Sequence, residues 1–193
     1  MNNIKLKIII GSTREGRFSE KPALWVFNSI KEEKGIEAEL LDLKDYPMPF
    51  FNSKITPKGI KDGNYADEIV RKWSEKIKEA DAFIVITPEY NHGYPAVLKN
   101  ALDWLFYEWN GKPVGFVSYG TNGGVRSIEQ LRQVAIELEM IPIRNAIHIP
   151  AHRTLLDENG NLKDMTFEPF EKAKTDLFNQ IISLAETIKK TAK

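Results

Sequence analysis

Thr87-Pro88-Glu89-Tyr90-Asn91-His92-Gly93-Tyr94-Pro95 crowds prolines, glycine, an amide and aromatic rings together, directly after the apolar run Ala82-Phe83-Ile84-Val85-Ile86. A buried strand opening into such a loop can offer backbone N–H groups and ring faces at once, as a flat polar heterocycle requires. A second segment of similar kind, Gly11-Ser12-Thr13-Arg14-Glu15-Gly16-Arg17-Phe18-Ser19, also follows an apolar strand and precedes a helix. Its hydroxyls, amides, two guanidinium groups and helix dipole would all favour a phosphate. Hydrogen bonds to charged groups contribute about 1.5–3 kcal/mol each, so three or four could anchor a phosphate ester. The third segment, Tyr119-Gly120-Thr121-Asn122-Gly123-Gly124, is poor in side chains and lets a ligand approach the backbone.

Two nucleotide-binding patterns are near misses. Gly11 and Gly16 have the glycine spacing of a P-loop, but Arg17-Phe18 stands where a lysine and a hydroxyl residue are required, so an NTPase is excluded. No Gly-x-Gly-x-x-Gly follows the first strand either. Each loop also has a plain structural reading. Ser19 could simply cap a helix with the arginines in solvent, and Tyr90 and Tyr94 could lie at the margin of the core. Three such loops at one edge of a sheet favour a site.

The surrounding pattern supplies that sheet. Apolar strands are expected at 4–10, 36–41, 82–87, 114–119 and 141–149, alternating with helical segments. Ala23, Phe27 and Ile30 mark the first helix, and Ile69, Trp73 and Ile77 a second one beginning near Asn64. A third is expected from about Ala96 to Tyr107, and a fourth through Ile128, Leu131, Ala135 and Leu138. The last carries Phe170, Ala173, Leu177, Ile181, Leu184 and Ile188. Pro47 and Pro49 exclude regular structure in Tyr46 to Phe51. The expectation is one α/β domain over residues 1–193, a three-layer sandwich on a five-stranded parallel sheet in the order 2-1-3-4-5. In that order the loops after strands one, three and four converge beyond the carboxyl ends of the strands.

Composition narrows the function. The 27 basic residues balance the 27 acidic ones, against a broadly basic nucleic-acid surface. There is no cysteine, which excludes disulfides, thiolate catalysis and cysteine-held metals. His92, His148 and His152 make no metal set, since Pro150 breaks any helix that would align the last two. Asp157 to Asn161 has its glycine misplaced for a calcium loop. No apolar run nears the roughly 20 residues that span a bilayer, and a cytoplasmic location is expected.

Gly-Ser-x-Arg after the first strand, Pro-Glu-Tyr-Asn after the third, Leu98-Lys99-Asn100-Ala101-Leu102-Asp103-Trp104 and the Gly123-Gly124 loop together resemble the NAD(P)H-dependent FMN reductases. That flavodoxin-like group includes azo-dye, quinone and chromate reductases. The resemblance runs from Ile8 to about Ile147. It implies an FMN cofactor, NADPH or NADH as electron donor, and a small acceptor such as a quinone, azo compound or flavin. It further implies that Ser12, Arg14, Phe18 and Ser19, with Arg17 beside them, hold the FMN phosphate. Pro88, Glu89, Tyr90 and Asn91 would border the isoalloxazine, largely through backbone groups, while Gly120, Gly123 and Gly124 pass beneath its other edge. No side chain is assigned as a catalytic acid or base, and His92 has no role.

An electron carrier of the flavodoxin kind, or a flavin-free binding or regulatory module, are the alternative readings. Apolar residues almost all around the third helix, further apolar side chains at Met48, Phe50 and Phe51 on a loop-like segment, and the family resemblance point to a homodimer, or a tetramer.

Overall fold

A computed structural model describes residues 3–163 and 167–191. Its sheet has five parallel strands, β1 (Ile4–Ile10), β2 (Ile36–Asp42), β3 (Ala82–Pro88), β4 (Pro113–Gly120) and β5 (Ile141–Pro150), in the order β2-β1-β3-β4-β5. Alternation along each strand decides which layer a residue joins. Leu6, Ile8 and Ile10 of β1, with Ile84, Ile86, Val117 and Tyr119, pack under α1 (Glu20–Ile30) and α5 (Glu171–Thr191). Ile9, Phe83, Val85, Val114 and Phe116 face the opposite layer, built from α2 (Glu68–Lys78), α3 (Ala96–Asp103) and α4 (Val125–Glu137). The expected three-layer, flavodoxin-like architecture is therefore present. The reversal of strand order between β1 and β3 opens the crevice where such folds bind ligands.

Two helices differ from the sequence expectation for visible reasons. α2 starts at Glu68 because the Asp67 carboxylate accepts from the amides of Ile69 and Val70, at 2.8 and 3.0 Å. α3 ends at Asp103, not Tyr107, and the chain unwinds as it buries its next side chains. The Trp104 indole donates to the Pro49 carbonyl at 2.8 Å, and Glu108 turns inward to accept from the hydroxyls of Tyr65 (2.9 Å) and Ser74 (2.6 Å). The irregular stretch expected at Tyr46–Phe51 is fixed from the same side. Asn100 accepts from the Phe51 amide and donates to the Pro49 carbonyl, and the Phe51 ring meets Trp104 edge-on at 5.1 Å. That stretch is the cover which the apolar side chains of α3 require.

β5 is a border strand, and its bulge opposite Val114–Phe116 exposes backbone groups. Arg132 of α4 donates to the carbonyls of Ile143 and Arg144, while Gln180 of α5 accepts from the Asn145 amide. Both flanking helices thus plug the border at its bulge. Among the described residues no helix is long and apolar enough to cross a membrane.

Candidate functional site

The β1–α1 loop takes its shape from one buried arginine. Arg17 has five N–H donors, and all are committed: Nε and Nη2 to Glu20, Nη1 and Nη2 to the two Asp42 oxygens, and Nη1 to the Ser12 carbonyl. Its side chain is 1% exposed. Burial raises the Asp42 carboxyl, but hydrogen bonding and charge from Arg17 outweigh that and hold it below the ordinary aspartate value. Arg17 is therefore spent inside the protein, whereas Arg14 is exposed, folded onto the carbonyls of Glu15 and Gly16 at 3.0 and 3.2 Å. Phe18 buries its ring against Tyr119 and His152, with centroids 5.1 and 5.2 Å away. Ser19 precedes α1 without capping it; its Oγ lies 2.6 Å from the Tyr119 hydroxyl. Burial pushes that phenol up to about 12, so Tyr119 stays a neutral donor or acceptor at physiological pH.

These commitments leave amides over. Among the described residues, the N–H groups of Thr13, Phe18 and Ser19 have no protein acceptor, and they stand just before the N-terminus of α1. Unpaired amides at the positive end of a helix dipole suit an anion. The chemistry of the donor set therefore fits a phosphate, with Arg14 as the exposed charge.

The β3–α3 loop is rigid for its length. Tyr90 and Gly93 exchange both backbone hydrogen bonds, at 2.8 and 3.0 Å, around Asn91 and His92 with φ of 50° and 68°. Two positive-φ residues inside a two-residue hairpin make a type I′ turn, which asparagine tolerates and histidine adopts under strain. α4 holds this hairpin from beneath. Ser127 donates to the Pro88 carbonyl (2.9 Å), Gln130 to the His92 carbonyl (2.9 Å), and Arg126 offers its amide and guanidinium to Glu89 at 3.1 and 2.8 Å. The Glu89 carboxylate thus sits at the first turn of α4, where the dipole and the unpaired amides favour it.

The three loops meet through direct bonds. Ser12 Oγ lies 2.9 Å from the Tyr90 hydroxyl, joining the first loop to the second. The Glu89 amide donates to the Tyr119 carbonyl at 3.0 Å, joining the second to the third. Gly124, at φ 74°, leaves no room for a side chain: a Cβ there would stand 2.7 Å from Ser118 Cβ and 3.0 Å from the Tyr119 nitrogen. At Gly120 a Cβ would meet Glu89 Cβ at an ordinary 3.4 Å. The residues expected to hold the cofactor all belong to these three loops, although Arg17 and the Phe18 ring point into the protein. Arg126, Ser127 and Gln130 were not foreseen. Their partners are 37–39 residues earlier in the chain, and nothing in α4's apolar periodicity marks them.

Removing the Tyr90 hydroxyl should loosen the joint between the first two loops. Tyr90→Phe is expected to lower stability by about 0.5–1.5 kcal/mol, one ordinary hydrogen bond, and urea unfolding measures it. An unchanged midpoint would mean that water replaces the bond without loss.

Comparison with known proteins gives a consistent answer. Residues 4–153 match the model of a family described as NADPH-dependent FMN reductase. The chain is 41% identical over 149 residues to an NAD(P)H-dependent FMN reductase of Schizosaccharomyces pombe, covering 76% of this chain and 74% of that one. A Saccharomyces cerevisiae protein of the same description is 36% identical over 165 residues, covering 81% and 86%. Among solved structures, an NAD(P)H:(acceptor) oxidoreductase flavoenzyme from Paracoccus denitrificans superposes with a TM-score of 0.68 at 24% identity, covering 97% of this chain and 98% of that one.

Proposed function

The chain belongs to the NADPH-dependent FMN reductase family, and on that premise we propose how its own residues serve an FMN-dependent NAD(P)H oxidoreductase. Bound FMN supplies the chemistry, hydride acceptance from a nicotinamide and onward passage of one or two electrons; the protein supplies placement and electrostatics. The amides of Thr13, Phe18 and Ser19, the Ser12 hydroxyl and the Arg14 guanidinium receive the phosphate. Arg17 takes no direct part and keeps the loop in its binding shape. Backbone groups of Pro88, Glu89, Tyr90 and Asn91 border the isoalloxazine, and Gly120, Gly123 and Gly124 lie beneath its other edge. No side chain acts as a catalytic acid or base. A nicotinamide and then a quinone, azo or flavin acceptor would use the same site in turn.

The observation that carries this reading is the bonding of the three loops into one rim beside the unpaired amides of the first loop. The test is a visible absorption spectrum of the purified protein before and after anaerobic NADPH. A flavin spectrum that bleaches supports the reading; colourless protein that takes up no FMN on reconstitution overturns it. Steady-state NADPH oxidation with a small quinone separates an enzyme from a carrier, which would turn over very slowly without a reductase.

Gly120→Ala probes the third loop separately. An added methyl makes only ordinary van der Waals contact with Glu89, so native melting behaviour is expected. FMN should nevertheless bind about tenfold more weakly, because the methyl stands where the ring edge passes and crowding costs about 1–3 kcal/mol. Wild-type affinity would move the flavin off this turn.

The reading also includes one domain over 1–193, a cytoplasmic location, and association as a homodimer or tetramer. Support for association is Phe50, 79% exposed on a segment that Asn100 and Trp104 hold fixed. Light scattering should give at least twice the chain mass of 22.1 kDa; a monomer at micromolar concentration removes the claim.

A further inference from the structure

Ser118 and His148 form a serine–histidine pair that no motif of the sequence marked. Ser118 Oγ on β4 is buried, 2.6 Å from the Gly123 carbonyl oxygen and 3.0 Å from His148 Nδ1 on β5. A carbonyl only accepts, and a serine hydroxyl carries one proton. That proton is therefore given to Gly123, and the contact with His148 is a hydrogen bond only if Nδ1 carries the ring proton and donates. The direction of the relay is fixed: Nδ1–H to Oγ, O–H to the carbonyl of Gly123. With its proton spent on the backbone and its oxygen buried, Ser118 is no nucleophile, which separates this pair from a hydrolytic one.

The relay ends on a residue with little freedom of its own. Gly123 sits at φ 77°, and a Cβ there would stand 3.1 Å from His148 Cβ, so the imidazole and the turn are in close packing. The other ring nitrogen keeps a lone pair, and His148 helps to line a cavity of about 370 Å³ with Arg132, Arg144, Glu129 and Asp176. Burial lowers the imidazole from its ordinary value, opposed by a hydrogen bond to the Gly123 backbone and assisted by the Arg132 charge, so the ring is neutral at physiological pH and its tautomer is a structural choice.

We propose that His148 is a positioning residue for the flavin: its Nδ1–H tautomer aims the Ser118 hydroxyl at Gly123 and so fixes the Gly120–Gly124 turn against the isoalloxazine edge. The proposal rests on the placement of that turn given under Proposed function. It adds a requirement that the family resemblance does not contain, a donor at the Nδ1 position of residue 148.

Side-chain length separates the proton donor from mere bulk. An asparagine amide nitrogen can occupy the place of Nδ1, whereas that of glutamine reaches the place of Nε2. FMN dissociation constants, from quenching of flavin fluorescence, should therefore stay within about threefold of wild type for His148→Asn. They should rise about tenfold for His148→Gln and for Ser118→Ala, the effect of one lost hydrogen bond. The double variant should lose less than the sum of the two single losses, because both changes act on the same Gly123 turn. Wild-type affinity in His148→Gln, equal losses in His148→Asn and His148→Gln, or additive losses in the double variant would each overturn the proposal. Nitrogen-15 NMR of the unsubstituted protein at neutral pH should report Nδ1 protonated; a ring protonated at Nε2 alone overturns it without any variant. FMN uptake by the wild type keeps the two claims apart. No uptake defeats the flavin reading, whereas uptake that is indifferent to residue 148 defeats only this one.

Discussion

Arg17→Met should be among the most damaging single changes outside the apolar core. It removes five hydrogen bonds and leaves the Asp42 carboxylate, 22% exposed, without its charge partner. A lost partner in a buried pair costs about 3–5 kcal/mol, and the partial exposure of Asp42 and Glu20 reduces that to about 2–3 kcal/mol. Arg17→Lys should recover little, because an ammonium has three donors and no planar fork to span Asp42, Glu20 and the Ser12 carbonyl together. Urea unfolding at neutral pH measures the cost. The pH dependence carries a sign. Asp42 titrates below its unfolded value in the native protein, so its contribution is present above the ordinary value of 3.8 and is lost as pH falls through the lowered one. The gap between wild type and Arg17→Met should therefore narrow below about pH 3.8. A gap that persists undiminished at lower pH would mean that Asp42 is not the group stabilised. FMN affinity should fall with the fold at neutral pH, although Arg17 meets no phosphate, because the amides of Phe18 and Ser19 follow it in the chain.

Gly124→Ala should rival that effect through the backbone. The left-handed conformation costs a residue with a side chain about 1–2 kcal/mol, and the new methyl would press on Ser118 Cβ at 2.7 Å and the Tyr119 nitrogen at 3.0 Å. Neither neighbour is the yielding end of a flexible chain, so overpacking adds about 1–3 kcal/mol. Gly16→Ala is the control: φ is 63°, but no atom lies within 4 Å of the added carbon. Only the conformational cost should appear there. Thermal melts of the two variants measure the difference, and equal losses would show that crowding at Gly124 is relieved by a small shift of β4.

The fold was readable because its strands are apolar runs of ordinary length and its helices carry regular stripes, so strand order followed from connection rules. The loops that meet at the rim were recognisable too, since Ser12, Glu89 and Gly124 belong to compact local patterns. What escaped was pairing across the chain. Nothing local says that Arg17 would find Asp42, 25 residues on, and a guanidinium beside a phosphate loop reads naturally as a phosphate ligand. Likewise Glu89 reads as a polar loop residue until Arg126 stands against it. The end of α3 escaped for a related reason. Trp104, Leu105 and Phe106 continue a helical stripe, yet Pro49, Tyr65 and Ser74 draw Trp104 and Glu108 out of it.

The plugging of β5 by Arg132 and Gln180 has a bearing on assembly. Carbonyls and an amide that could have recruited a neighbouring strand are already satisfied from within the molecule. At that bulge an incoming strand would find the backbone already committed, so a partner docking there must rely on side chains meeting side chains.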